Sequence, residues 1–245
     1  MSDFTSNPWI SNPFDNEVWQ SNPWGADDGS LYFTNTGVSL SPYITVTGTP
    51  DILWTWSDGS TSTVANPGAK FLTGTPKLLV TPWSAVWDFY FNAESLIDPF
   101  VLRNWTGMTR LQIENNSFSG NFVSYPWESV LNIYIYGNNY TGILKLLTWD
   151  TVQRLHFRDN SFSSISGSFQ TQIKLVNLNL QGNNISSQSE IDLIYEDLLI
   201  NAAATGRTNI CIVFTDGANM SAPSAAGLSD IDDLVNIYGW TVTHA

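Results

Sequence analysis

An asparagine recurs behind the same apolar pattern in four successive segments, and this periodicity constrains the fold more than any other feature of the chain. Met108, Leu111, Ile113, Asn116 and Phe118 place apolar residues at offsets 0, 3, 5 and 10, with the asparagine at offset 8. The pattern returns as Val130, Ile133, Ile135, Asn138, Tyr140, then as Val152, Leu155, Phe157, Asn160, Phe162, and then as Leu175, Leu178, Leu180, Asn183, Ile185. The asparagines are 22, 22 and 23 residues apart. Val86, Phe89, Phe91, Glu94 and Leu96 keep the spacing with glutamate in place of asparagine, as a degenerate end copy would. A unit this short cannot bury its apolar face alone, so neighbouring copies must stack and both ends need caps.

Within each copy, two apolar residues flank one polar residue. They read as a short strand with its apolar side inward and the intervening residue outward. The chain must then bend away from the strand, and an inward asparagine can satisfy the backbone groups left at the bend because its amide offers both donors and an acceptor. Asn116, Asn138, Asn160 and Asn183 are therefore read as a structural ladder, with Gly120, Gly142 and Gly182 supplying turns nearby. The keyed positions resemble the leucine-rich repeat, LxxLxLxxNxL, with Met, Val, Ile or Phe standing for Leu. The resemblance implies a parallel-sheet solenoid whose concave sheet face is used for recognition of a protein or glycan. Gln112, Glu114, Asn132, Tyr134, Tyr136, His156, Arg158, Asn179 and Gln181 are the outward residues that would form that face. Their amides and phenols offer donors, acceptors and flat apolar surfaces suited to sugar hydroxyls or a polar protein surface, although a merely solvated sheet would carry similar side chains.

Beyond Ile185 the period fails. Ser187 and Glu190 form a capping box, and Ile191, Ile194, Tyr195, Leu198 and Leu199 follow one helical face that ends near Gly206. The run Ile210 to Phe214 reads as a strand. A second helix is predicted from just after Pro223 to Gly239, with Leu228, Ile231, Leu234, Val235 and Tyr238 inward, followed by a strand over Trp240 to His244. This ending is similar to the terminal cap of leucine-rich-repeat proteins in bacteria and their phages. Ahead of the repeats, Tyr43 to Val46, Ile52 to Trp56, Lys70 to Leu72 and Leu78 to Val80 read as short strands between Gly and Pro turns. The segment Trp54, Ser57, Asp58, Gly59, Ser60 resembles that of small β modules preceding bacterial surface repeats, and a tight turn between two strands explains Asp58-Gly59 equally well.

The first 24 residues hold a repeat of their own: Ser6-Asn7-Pro8-Trp9, Ser11-Asn12-Pro13-Phe14 and Ser21-Asn22-Pro23-Trp24. Proline after asparagine keeps a chain extended or turning. Trp9, Phe14, Trp19 and Trp24 then act either as anchors inserted into a partner or as a cover folded over the β module. The expected architecture is α/β and strand-dominated, a short leucine-rich-repeat solenoid with an N-terminal β module and an α/β C-terminal cap. Its segments are an arm (1–29), the β module (30–85), the repeats (86–187) and a helix-strand-helix-strand cap (188–245).

The 11 Trp, 9 Tyr and 13 Phe make the chain far too aromatic for disorder. With 22 acidic against 9 basic residues the formal charge is −13, which repels phosphate backbones and anionic membranes, so nucleic acid is not expected as a partner. No basic-then-apolar leader and no apolar stretch of spanning length occurs, so neither a signal peptide nor membrane insertion is expected. The single Cys211 reads as a buried hydrophobe. His156 and His244 are too few for a histidine metal site or triad. Neither a phosphate-cradling glycine motif nor a cofactor signature appears, and no catalytic, metal or cofactor role is expected. His156 falls on the outward side of its strand, which fits binding or solvation. The Asp230, Asp232, Asp233 cluster is read as structural, and the Asn-Ser/Thr sequons as turn composition. The expectation is a non-enzymatic structural or binding protein. As a bacteriophage virion component it would be a capsid decoration, fibre or tail protein on the virion surface, held by its arm to a virion protein. The alternative is a bacterial cell-surface adhesin or secreted effector. A homo-oligomer is compatible with either.

Overall fold

The computed structural model describes residues 31–245, except 33, 41, 75, 92–95, 98–101, 103–104 and 209–210. The arm residues Trp9, Phe14, Trp19 and Trp24, and Glu94 and Ile210, lie outside the described residues. Residues 31–245 form one compact unit of strand-dominated α/β architecture, a repeat solenoid with two C-terminal helices.

Its spine is an eight-stranded sheet. The four repeats supply Arg110–Gln112, Asn132–Tyr134, Arg154–His156 and Asn177–Asn179, paired parallel and in register so that Leu111, Ile133, Leu155 and Leu178 stand side by side. All four are fully buried. The degenerate copy joins the same sheet through Val86–Tyr90, Phe89 pairing with Leu111. At the other end Ile212–Thr215 and then Thr241–His244 continue it in parallel, placing Val213 and Val242 in the same row as Leu178. The segment ahead of the repeats is welded on directly, because Tyr43–Val46 pairs antiparallel with Val86–Tyr90 and closes that edge.

The buried asparagines hold the coil together along its length. Asn138 Nδ2 donates to the carbonyls of Ile113 (2.9 Å) and Ile135 (3.0 Å), while its Oδ1 accepts from Phe118 N–H (3.2 Å). Asn160 repeats this with Ile135, Phe157 and Tyr140, and Asn183 with Phe157, Leu180 and Phe162. Asn116 does so with Phe91, Ile113 and Leu96. The carbonyls of Ile113, Ile135 and Phe157 are each shared by two successive asparagines, so the ladder is linked rung to rung. Beyond the asparagines a second parallel sheet, Ser119–Asn121, Asn139–Lys145 and Ser161–Ser166, sends Tyr140, Leu144 and Phe162 into the same core. Its strands were not expected from the sequence, because they are built mostly of Ser, Thr, Asn and Gly, and the outward Ile143 beside the inward Leu144 breaks the apolar alternation.

A further ladder follows the same period. Trp83, Trp105, Trp127 and Trp149 are each 22 residues apart. Trp83 stacks on Trp105 at 5.1 Å and Trp127 on Trp149 at 6.2 Å, the last three rings being buried. In the final repeat this position is Gln172, also buried. Its Nε2 donates to Leu147 O (2.7 Å) as Trp149 Nε1 donates to the equivalent Tyr125 O (2.8 Å).

The first helix, Gln188–Thr205, starts at Ser187, whose hydroxyl accepts from Glu190 N–H, and ends at Gly206 in the left-handed conformation (φ 63°). Ile191, Ile194, Tyr195 and Leu198 cover the end of the coil, and the Tyr195 hydroxyl is hydrogen-bonded to that of Thr215. The second helix is Ala225–Asn236. Its inner stripe is Gly227, Ile231 and Leu234, whereas Leu228 and Val235, expected inward, are exposed. The cause is a close approach to the first helix. Asp192 accepts from Ser224 N–H (2.8 Å), and a Cβ on Gly227 would lie 2.3 Å from the same carboxylate oxygen, so the glycine must face inward and the stripe rotates by one residue. Cys211 is buried, and burial pushes its thiol up to about 12. Asp58 closes a turn between Asp51–Thr55 and Thr61–Ser62, accepting from Ser60 N–H at 2.8 Å. Among the described residues no helix is long and apolar enough to cross a membrane.

Candidate recognition face

Strand alternation that buries the Leu111 row turns the residues on either side to the opposite face of the sheet. One row there is Asp88, Arg110, Asn132, Arg154 and Asn177, and the next is Tyr90, Gln112, Tyr134, His156 and Asn179. Two residues farther along each copy stand Glu114, Tyr136, Arg158 and Gln181. Cross-strand neighbours are about 4.8 Å apart, which brings side chains of one row within reach of their counterparts in adjacent copies.

The contacts run across the repeats. Asp88, only 2% exposed, takes the Arg110 guanidinium on both carboxylate oxygens. Arg154 Nη1 donates to Asn132 Oδ1 at 3.2 Å. The Tyr134 ring meets His156 edge-on at 4.9 Å, and the Arg158 guanidinium lies 4.5 Å over the Tyr136 ring while pairing with Asp159. Gln181 Nε2 donates to Asp216 Oδ2 at 2.8 Å, and Asn179 Oδ1 accepts from Gln181 N–H. These bonds reduce the side-chain freedom that a ligand would otherwise have to quench.

Of the residues expected on this face, eight are partly exposed on it. Glu114 is the correction: it is buried to 3% exposure, with Gln112 Nε2 donating to its Oε1 and Oε2 left without a hydrogen-bond partner among the described residues. It underlies the face and does not line it. Burial therefore pushes its carboxyl above the ordinary 4.5, against the lowering pull of its own backbone N–H, Gln112 and Arg110. Burial likewise lowers His156 below 6.5, opposed by the Asn177 amide and assisted by Arg158 and Arg154. Arg110, Arg154 and Asn177 join the face without having been expected there, although the alternation that turns Asn132 outward turns them outward as well; Asp88, in the same row, is covered by Arg110 and underlies the face as Glu114 does.

The direction of the Glu114 shift has a consequence for stability. A carboxyl whose folded pKa is raised stabilises the fold fully below its unfolded value, and that contribution is lost as the pH rises through the folded value. Glu114→Gln mimics the neutral form at every pH. Its urea midpoint is expected to exceed that of the wild type at pH 7.5 and to match it at pH 4. His156, shifted the other way, acts equally in both proteins and cancels from the comparison. A wild type at least as stable as the variant at pH 7.5 would refute the assignment of Glu114 as a desolvated carboxyl.

No protein-family model and no curated protein matches the sequence, so the sheet face is the feature from which function is argued.

Proposed function

We propose that the chain is a non-enzymatic recognition protein. In this reading a solenoid of the leucine-rich-repeat type offers its sheet face to a host protein or glycan, and the aromatic arm of residues 1–29 fixes it to a larger particle. The observation that carries the reading is the interlocked face itself. Tyr134, Tyr136, His156 and Arg158 come from neighbouring copies, and they meet on strands whose other side is fully buried. A rigid platform of amides, phenols and guanidinium groups suits polar recognition, because little side-chain entropy remains to be lost on binding.

The particle we favour is a bacteriophage virion, with the chain as a capsid decoration, fibre or tail component. The tandem Ser-Asn-Pro-aromatic units support this, since several short copies of one anchor fit a partner that presents its sockets repeatedly.

Two variants of the full chain test the reading. Replacing Tyr134, Tyr136 and Arg158 together by alanine is expected to lower binding to the host envelope at least about tenfold without lowering the unfolding midpoint by more than a few degrees, and deleting residues 1–26 to abolish incorporation into particles with the repeats still folded. Unchanged envelope binding by the first would reduce the sheet to scaffold. Normal incorporation of the second would remove the anchoring role.

A further inference from the structure

We infer that the sheet face takes a carboxylate-bearing saccharide, of the uronic or sialic acid type, with Arg154 as the group that receives the carboxylate. The inference rests on the recognition-face reading and narrows it to a ligand class.

Three of the nine basic residues of the chain, all arginines, stand on this one face. Asp88, Asp159 and Asp216 stand among them, so what an anionic ligand meets here depends on which guanidinium is left without a carboxylate. The three are not equivalent. Arg110 is held on both sides of its fork by Asp88, and Arg158 is stacked on Tyr136 and paired with Asp159. Arg154 is exposed, and its hydrogen bond among the described residues is to an amide oxygen, Asn132 Oδ1. A guanidinium without a carboxylate presents a planar fork of donors that matches an incoming one bidentately. Next to it stands Tyr134. It lies two residues beyond Asn132, which pairs with Arg154 in the sheet register, so the phenol stands diagonally across from that guanidinium.

The surroundings favour a sugar over an acidic peptide. Across the four central strands the outward residues are Arg110, Gln112, Asn132, Tyr134, Arg154, His156, Asn177 and Asn179. None is aliphatic, so the pocket for an apolar side-chain anchor that a peptide would need is lacking there. Amides that both donate and accept suit a ring of hydroxyls, and the Tyr134 face suits the apolar side of a pyranose.

Calorimetric titration of the full chain tests this with oligogalacturonate and oligosialic acid, each as the free acid and as the methyl ester, and with polyglutamate as the peptide probe. At least one free acid is expected to bind, more weakly as salt rises and about tenfold more tightly than its ester. Arg154→Gln should remove that tenfold preference while leaving ester binding and the unfolding midpoint unchanged. Arg207→Gln, at a half-buried guanidinium that donates to the Ile173 and Lys174 carbonyls outside these rows, should leave the preference unchanged. Equal binding of acid and ester, a preference that survives Arg154→Gln, or tighter binding of polyglutamate than of either saccharide would overturn the inference. So would the absence of binding by both acids. In that last case envelope binding that is still lost in the Tyr134, Tyr136, Arg158 triple variant would leave the recognition face standing with a different ligand.

Discussion

Asn138→Ala is expected to lower the free energy of unfolding by about 4 kcal/mol, a large share of what a domain of this size possesses. The side chain donates to the carbonyls of Ile113 and Ile135 and, at 3.4 Å, to that of Tyr136, accepts from the Phe118 N–H, and is only 6% exposed. The carbonyls of Ile113 and Ile135 each keep a second partner, from Asn116 and Asn160, so the largest single penalty falls on the Phe118 N–H, which loses its amide acceptor. Asn138→Asp separates donor from acceptor. It retains the acceptor for Phe118 but turns an oxygen toward the carbonyl oxygens to which the amide had donated. That repulsion raises the pKa of the new carboxyl, so the variant should be about as unstable as the alanine variant near neutral pH and recover as the pH falls through the raised value. Equilibrium urea unfolding at pH 4 and pH 7.5 measures both. A loss below about 1 kcal/mol for Asn138→Ala would mean that the ladder decorates a coil held together by packing alone.

Much of this arrangement is legible in the amino-acid sequence. The apolar offsets and the asparagine together fix the register of four strands, because a strand shifted by one residue would expose its whole apolar set. The degenerate copy from Val86 also joins the sheet, since Phe89 and Phe91 still enter the core. What escaped has physical causes. The strands Ser119–Asn121, Asn139–Lys145 and Ser161–Ser166 arise from stacking of neighbouring turns and need no apolar alternation of their own. Glu114 lies on the outward side by alternation, but which outward residues are covered depends on neighbours from other copies, and no single segment encodes that. Leu228 and Val235 suggested a helix face that the glycine contact with Asp192 overrode. Arg154 was visible in the sequence at a strand flank; what could not be read is that Asp88 and Asp159 neutralise the other two arginines and leave it without a carboxylate.

Trp149→Ala is expected to cost about 4 kcal/mol, and its companions reveal what the tryptophan ladder contributes. The ring is 1% exposed, stacks on Trp127 at 6.2 Å with 11° between the planes, and donates through Nε1 to Tyr125 O at 2.8 Å. That carbonyl also accepts from the Trp127 N–H at 2.8 Å, so losing the indole donor does not orphan it. Volume and stacking should therefore outweigh the hydrogen bond. The last repeat has already made the comparison in the opposite sense, because Gln172 keeps the donor to Leu147 O and dispenses with the ring where Phe169 and the first helix close the coil. In the middle of the coil no element arrives to fill the space. Trp149→Gln should thus fall within about 1 kcal/mol of Trp149→Ala, while Trp149→Phe, which keeps most of the ring and no donor, should lose only about half as much. Urea midpoints of the three variants decide the matter. If glutamine restored most of the stability and phenylalanine little, the ladder would be a column of indole donors, and the 22-residue spacing of its rings would reflect hydrogen bonding more than packing.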